Sequence, residues 1–420
     1  MLTLSQTGRL VLPLTLLLAG AVTAARGQAP ASDPGASPPS PNWNRPRESN
    51  AGTLPPPAPP GSGVADTAPV SPLPPVPPFA EPPPPGVFSA PPSPPPAPGA
   101  AATAGGFAST LPGGGRGLGA VLSPVVGQVP LSGGYQAVGF FDAPVRGQDT
   151  HLGYLQQDLN AITPIWQDVR NELYATARVG VESFFTHAVL PNTGQPLPAE
   201  LWNVSVGTGY RHLFDNGWIG GGSVSVGSAS DKPFHSIDEM TVSASATLRV
   251  PRGDRDAWVF GVNLSSNSQV LPFVPIPFVA YLYNPSDRFQ ALVGFPFASV
   301  TYRPWDDLTF SASYALLTTF HARVSYRVAP PVSVFCALDF DNENYYLADR
   351  TDANQRFFNY SDRLSGGVHV VLARQALLEV SGGYVFDRVF FEGTGGTDQS
   401  FNKVSVAPGA FLGAKLQIRY

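Results

Sequence analysis

From Leu173 to the last residue the chain alternates apolar and polar side chains with a period of two, a pattern open to few folds. Between 240 and 250 the even positions are Met240, Val242, Ala244, Ala246, Leu248 and Val250, and the odd ones are Thr241, Ser243, Ser245, Thr247 and Arg249. Phe320, Ala322, Val324, Tyr326 and Val328 alternate in the same way with His321, Arg323, Ser325 and Arg327. At the end of the chain Val404, Val406, Leu412, Ala414, Leu416, Ile418 and Tyr420 oppose Lys403, Ser405, Lys415, Gln417 and Arg419. Successive strand side chains point to opposite faces, so each strand has one apolar face and one polar face. A soluble β-sandwich alternates too. Here, however, the polar positions hold single Arg, His and Lys residues among Ser, Thr and Gly, as a wet lumen would. The apolar faces begin or end in aromatics such as Trp202, Tyr210, Tyr302, Tyr314, Phe386 and Tyr420. Aromatic girdles at two interfaces are the mark of a transmembrane β-barrel.

The connections alternate in length. Short turns are expected at 215–217, 251–254, 304–307, 330–331 and 374–375, and longer loops at 190–200, 228–236, 268–295, 342–358 and 391–402. Short periplasmic turns and long external loops belong to outer-membrane barrels, and this parity predicts an all-β, antiparallel barrel of about twelve strands. The strands fall at 173–187, 201–213, 217–227, 238–250, 256–267, 296–303, 307–316, 319–329, 331–341, 359–373, 376–390 and 403–420. Inside the third long loop, 277–283 and 288–294 read as one more hairpin. It either dips into the lumen as a constriction or adds two wall strands, for about fourteen.

Residues 1–24 read as a signal peptide: Arg9 supplies the positive charge, Leu10 to Val22 the apolar stretch, and Val22-Thr23-Ala24 the small-residue cleavage pattern. The apolar stretch is short of the ~20 residues a helix needs to span a bilayer. From 25 to 120 the chain is dense in Pro and Gly, including Pro55-Pro56-Pro57 and Pro82 to Pro85. Such sequence cannot bury a core, and it reads as a disordered, semi-stiff arm. The arm is either a plain solvated linker or a tether to a cell-wall or periplasmic partner. The stretch 121–172 is mixed and fits a periplasmic element, a lumen plug or an extra hairpin; the barrel proper is expected over 173–420.

Charged residues are only 13% of the chain and the net charge is −5, which argues against nucleic acid as a partner. The lone Cys336 leaves no internal disulfide and no cysteine pair for a metal. Outer-membrane lipid is the expected surrounding, after export by the signal peptide. The ending Leu416, Ile418, Tyr420 resembles the C-terminal pattern read by the barrel assembly machinery, in which Phe or Trp is the usual last residue. The stretch from Leu271 to Pro285, with Val293-Gly-Phe-Pro296 and Tyr302-Arg-Pro304, is similar to an uncharacterised family of bacterial outer-membrane β-barrels, a domain of unknown function. That resemblance spans roughly 173–420 and implies fold and location, with no substrate.

No catalytic residues, cofactor or metal are expected. The six histidines lack HExxH spacing, and Gly115 to Ala120 lacks the strand that a dinucleotide loop needs. His212 is the only histidine suited to a barrel lipase, yet it falls at a short turn. Asp339, Asp341, Glu343, Asp349 and Asp352 form an acidic run that reads as a solvated loop, with a rim Ca²⁺ site as the weaker alternative.

The strongest functional feature is charge on the predicted inner faces. Arg178, Arg211, Arg249, Arg323, Arg327, Lys403, Lys415 and Arg419 face Glu182, Asp339 and Glu379. Either they form a basic-leaning constriction that favours anions, or they brace a closed lumen with ion pairs. The two functions that follow are a passive channel for small hydrophilic solutes with mild anion preference, and a closed envelope barrel that displays the proline-rich arm.

Overall fold

The computed structural model describes residues 123–420 apart from 270, 316–318, 351, 397, 398 and 400. The expected signal peptide, 1–24, and the whole of the proline-rich stretch 25–120 lie outside the described residues. The first nine strands are β1 (Ser132–Pro144), β2 (His151–Gln167), β3 (Asn171–Thr186), β4 (Glu200–Leu213), β5 (Ile219–Ser230), β6 (Met240–Arg252), β7 (Asp256–Ser265), β8 (Ile276–Ser286) and β9 (Phe289–Phe295). They are followed by β10 (Phe297–Trp305), β11 (Leu308–Ala315), β12 (Thr319–Ala329), β13 (Val332–Tyr345), β14 (Arg356–Ala373), β15 (Ala376–Gly393), β16 (Phe401–Val406) and β17 (Gly409–Arg419). From β2 to β16 each strand pairs antiparallel with the one before it, β17 pairs with β15, and β17 returns to β1, from Ser132 opposite Arg419 to Phe140 opposite Phe411. The sheet therefore closes and has no free edge, as a bilayer requires of strands that cross it.

Both β16 and β17 lie against β15, interrupted at Ala407-Pro408. They are two halves of one wall strand, so the seventeen strands of the sheet form a wall of sixteen among the described residues. This corrects the expected count of about twelve, or about fourteen. Two hairpins were under-read. β1 and β2 come from the stretch 132–167, and β8 and β9 from inside the supposed third long loop, where they are wall strands and no constriction. Local chemistry obscured both. Pro277 and Pro285 sit near the two ends of β8, and Pro296 separates β9 from β10, positions where a missing N–H is tolerated. In β1 and β2, register shifts at Phe140/Ala143 and Pro164/Trp166 break the strict period of two.

One end carries tight turns throughout. The other carries the long loops, but β9 and β10 are joined there by Pro296 alone and β11 and β12 by 316–318, and the expected long loop 268–295 is reduced to the stretch before β8. The outward face bears exposed apolar side chains, among them Val206, Val226, Val242, Val293, Leu364 and Val380. Outward aromatics flank this band: Tyr210, Trp258, Tyr281 and Tyr302 toward the tight turns, Trp202, Tyr314 and Phe320 toward the long loops. An exposed apolar band of this kind is stable only against hydrocarbon. Leu416, Ile418 and Tyr420 lie on this outward face, and the Tyr420 N–H donates to the Leu131 carbonyl (2.8 Å) across the closing seam.

A tight turn shows how local sequence sets an end. Between β2 and β3, Asp168 Oδ1 accepts from the backbone N–H groups of Arg170 (2.7 Å) and Asn171 (2.8 Å), an Asx turn. These bonds, with the Asn171 side-chain amide, hold the Asp168 carboxyl below its usual range. A depressed carboxylate stabilises the fold above its unfolded pKa, and the contribution is lost as pH falls through the folded pKa. The Arg170 amide proton should therefore titrate with a midpoint below that of an ordinary Asp, as read by NMR in micelles. Titration at the ordinary midpoint would mean that the turn is not held by this carboxylate.

Candidate functional site

A sixteen-stranded wall is wide enough to leave an aqueous channel, so the content of the lumen decides what the barrel can do. Register assigns the inward side chains. On β3 they are Glu172, Tyr174, Thr176, Arg178, Glu182 and Phe184; on β12, His321, Arg323, Ser325 and Arg327; on β13, Phe335, Asp339, Asp341 and Glu343. The inner surface has two arcs. From β12 through β17 to β3 it is charged. Apart from Arg249 on β6, it is small, hydroxylated or apolar from β5 to β11: Ser223 meets Ser245 (2.8 Å), Ser243 meets Ser265 (3.1 Å), and Val259, Phe278, Leu282 and Phe297 pack together.

The charged arc is organised along the barrel axis. Toward the long loops the inward groups are mainly acidic and tied down. Arg178 donates to Asp158 (2.5 Å) and reaches Glu343 on β13 (3.4 Å), across the lumen from β3. Glu182 accepts from the Asn359 side-chain amide at 2.9 and 2.8 Å. His321 lies between Asp339 (2.8 Å) and Asp341 (3.4 Å), and Arg363 also pairs with Asp341. The acidic run read as a loop is thus partly a strand: Asp339, Asp341 and Glu343 alternate on the inner face of β13, each with a cationic partner or, for Glu343, the Tyr345 hydroxyl as well (2.6 Å). No group of three or more His, Cys, Asp or Glu residues that could hold a metal ion occurs among the described residues.

Toward the tight turns the balance reverses. Arg211, Arg249, Arg323, Arg327, Lys415 and Arg419 face inward there, against the inward carboxylates Glu172 and Glu379. Arg323 donates to Glu379 (2.8 Å) with its guanidinium 3.7 Å from the centre of the Phe335 ring. Arg327 is half-exposed, 3.8 Å from Asp307 of the adjoining turn. Arg249 is 6% exposed, and its Nε has no hydrogen-bond partner.

Lys403 departs from the expectation. Val404 and Val406 face inward and are buried, which turns Lys403 outward at the long-loop rim, where it donates to Gln399 (3.0 Å). The break at Ala407-Pro408 shifts parity, so that odd residues such as Phe411, Gly413 and Lys415 face inward after it. A one-residue change of phase sends every side chain to the opposite face.

Two features lay beyond sequence reasoning. The first is the long-loop mouth. β5 and β13 stand directly opposite in the ring, yet Ser230 and Tyr346 form a parallel backbone bridge, with the Tyr346 N–H donating to the Ala229 carbonyl (2.7 Å). The chain following β13 therefore crosses the mouth as a strap. Tyr346 Oη donates to the Ser266 carbonyl (3.0 Å), Asn344 to Asn267 Oδ1 (2.6 Å), and Arg350 to the Asp238 carbonyl (2.8 Å). Beside it an aromatic cluster fills the inner wall: Phe140 stacks on Tyr154 (4.1 Å), which contacts Phe184 (5.3 Å) and Phe390 (6.0 Å). β14 and β15 have eighteen residues each, against the ~10 that span a bilayer, so their surplus builds this structure beyond the membrane.

The second feature is at the opposite end. Residues 123–127 run inside the wall. Arg211 donates to the carbonyls of Ser123 (3.0 Å) and Val125 (3.1 Å), and the Gly127 N–H donates to Glu172 Oε2 (2.7 Å). Arg211 and Glu172 are 3% and 1% exposed, with Nη1 2.9 Å from Oε1. Gly127 has φ +79°, and a Cβ there would lie 1.8 Å from the Asp168 carbonyl oxygen, so no other residue fits without moving the turn.

No protein-family model and no curated protein matches the chain. Among solved structures it is similar to an outer-membrane channel of Pseudomonas putida F1, with 9% identity, TM-score 0.30, and 70% of this chain and 96% of that chain covered. It is similar to OccK7 (OpdD) of Pseudomonas aeruginosa at 10% identity and TM-score 0.32, covering 70% and 99% of the two chains. The ferric enterobactin receptor PfeA of the same organism, in a mutant form, gives 7% identity and TM-score 0.29 over 69% of this chain and 80% of that one. What identifies the architecture is the wall itself: closed, antiparallel, apolar outside and polar within. The chain is an outer-membrane β-barrel.

Proposed function

We propose that the protein is a passive outer-membrane channel for small hydrophilic solutes, with a mild preference for anions. The observation that carries this reading is the six-against-two excess of inward cations over inward carboxylates in the tight-turn half. Fixed charge facing a narrow aqueous path raises the local concentration of the opposite ion. Ion pairing weakens the effect at Arg211, Arg323 and Arg327. The test is single-channel conductance of the refolded full chain in a planar bilayer under a salt gradient. Conductance steps with an anion-biased reversal potential, reduced by Arg323→Ala with Arg327→Ala, are expected. Silence from folded, heat-modifiable protein would overturn the channel.

A second reading has its own support. Ser123, the first described residue, is held inside the wall at the tight-turn end. A barrel that anchors the proline-rich arm for a cell-wall or periplasmic partner fits that arrangement. Deleting residues 28–119 separates the two readings, since a channel keeps its conductance and an anchor loses its role.

A further inference from the structure

On the outer wall near the tight turns, Trp258, Tyr281 and Val293 stand side by side on β7, β8 and β9, Trp258 opposite Tyr281 and Tyr281 opposite Val293. With Arg252 from the end of β6 they line a groove of about 560 Å³. The two rings lie 4.8 Å apart and tilted, and Val293 is 63% exposed. Arg252 is exposed and opposite Asp256 in the ladder. Asp256 Oδ2 accepts from the Tyr281 hydroxyl and Oδ1 from the Asn284 N–H, both at 2.8 Å. An ionised carboxylate has about four lone-pair sites, so each oxygen can accept one further bond. A cation, an anion and an apolar trough thus lie together where the aromatic girdle meets the lipid headgroups.

From this juxtaposition we propose a specific site for phosphatidylethanolamine at Arg252, Asp256, Trp258, Tyr281 and Val293. The Arg252 guanidinium takes the phosphate, the ammonium donates to Asp256, and the upper acyl chain lies along Trp258, Tyr281 and Val293. Arginine suits phosphate because its donors match the oxygens in pairs, and aromatic side chains suit a boundary that is apolar on one side and wet on the other. The carboxylate gives the selectivity. Phosphatidylcholine carries a quaternary ammonium with no N–H to donate, and phosphatidylglycerol brings no cation to Asp256.

The experiment is native mass spectrometry of the full chain released from detergent, with phosphatidylethanolamine, phosphatidylcholine and phosphatidylglycerol of identical acyl chains in competition. One phosphatidylethanolamine should be retained at least about tenfold more tightly than either competitor. Arg252→Ala should weaken that retention by a similar factor, and Asp256→Asn should abolish the preference for ethanolamine. Both side chains lie at the wall surface, and heat-modifiability shows directly whether each variant is folded. Should Asp256→Asn not fold, competition of phosphatidylethanolamine against phosphatidylcholine on the wild type reads the ethanolamine preference, and Arg252→Ala with Trp258→Ala reads the retention. Equal retention of the three lipids, retention of phosphatidylglycerol above phosphatidylethanolamine, or an Arg252→Ala variant indistinguishable from wild type would each overturn the assignment.

Discussion

Combining Asn344→Ala, Tyr346→Ala and Arg350→Ala should raise the open probability of the refolded protein in planar bilayers by roughly a hundredfold. The strap and the end of β13 before it are held by the Asn344–Asn267, Tyr346–Ser266 and Arg350–Asp238 bonds, which join them to the loop after β7 and the loop before β6. A hydrogen bond of this sort contributes about 1 kcal/mol net, so three contribute about 3 kcal/mol. At about 1.4 kcal/mol per factor of ten, that loss shifts a closed–open equilibrium by about two powers of ten. Arg350 also lies 3.8 Å from Glu239, both nearly buried, which adds to the expected effect. Current traces of wild type and variant at one voltage decide the matter. An open probability unchanged from wild type would place the restriction in the packing of Phe184, Phe357 and Phe390 instead of in the strap.

Replacing Glu172 by Ala should produce the largest loss of stability of any single substitution considered. It strips the buried Arg211 of its counter-charge and the Gly127 N–H of its acceptor. Removing one partner of a buried pair costs about 3–5 kcal/mol, because the remaining charge stays in a poorly solvated place. Urea unfolding from lipid vesicles would show the loss as a lowered midpoint. Limited proteolysis would show new cleavage at 123–131, the segment that the pair holds against the wall. A double variant, Glu172→Ala with Arg211→Met, removes both charges and should recover much of the midpoint. A double variant no more stable than Glu172→Ala alone would assign the effect to lost packing.

Much of the wall was legible in the sequence because its signal is local. Alternation in 240–250 predicted a strand at 238–250, within two residues of β6 at Met240–Arg252, and that in 320–328 predicted 319–329, where β12 lies. In both cases the polar set, Arg249 or Arg323 and Arg327, faces the lumen as its parity requires. Where a bulge or a proline disturbs parity, the same reasoning failed. It left β1 and β2 undecided between three forms and left β8 and β9 open between wall and constriction. It also put Lys403 on the wrong face, because Ala407-Pro408 changes phase within what reads as a continuous strand.

The candidate site divides along the same line. That Arg178, Glu182, Arg323 and Glu379 lie inside follows from parity alone. Which cation meets which carboxylate does not. Arg178 meets Glu343, 165 positions later in the chain, and Glu182 meets Asn359, 177 positions later, because a closed ring brings β3 within reach of β13 and β14. By itself the sequence determined the all-β class, the apolar outer belt, the aromatic girdles and the difference between the two ends, since each depends on side chains within a few residues. Only the tertiary structure decided the wall of sixteen, the strap across the mouth and the buried Glu172–Arg211 clasp, since each depends on how far around the ring the sheet runs before it closes.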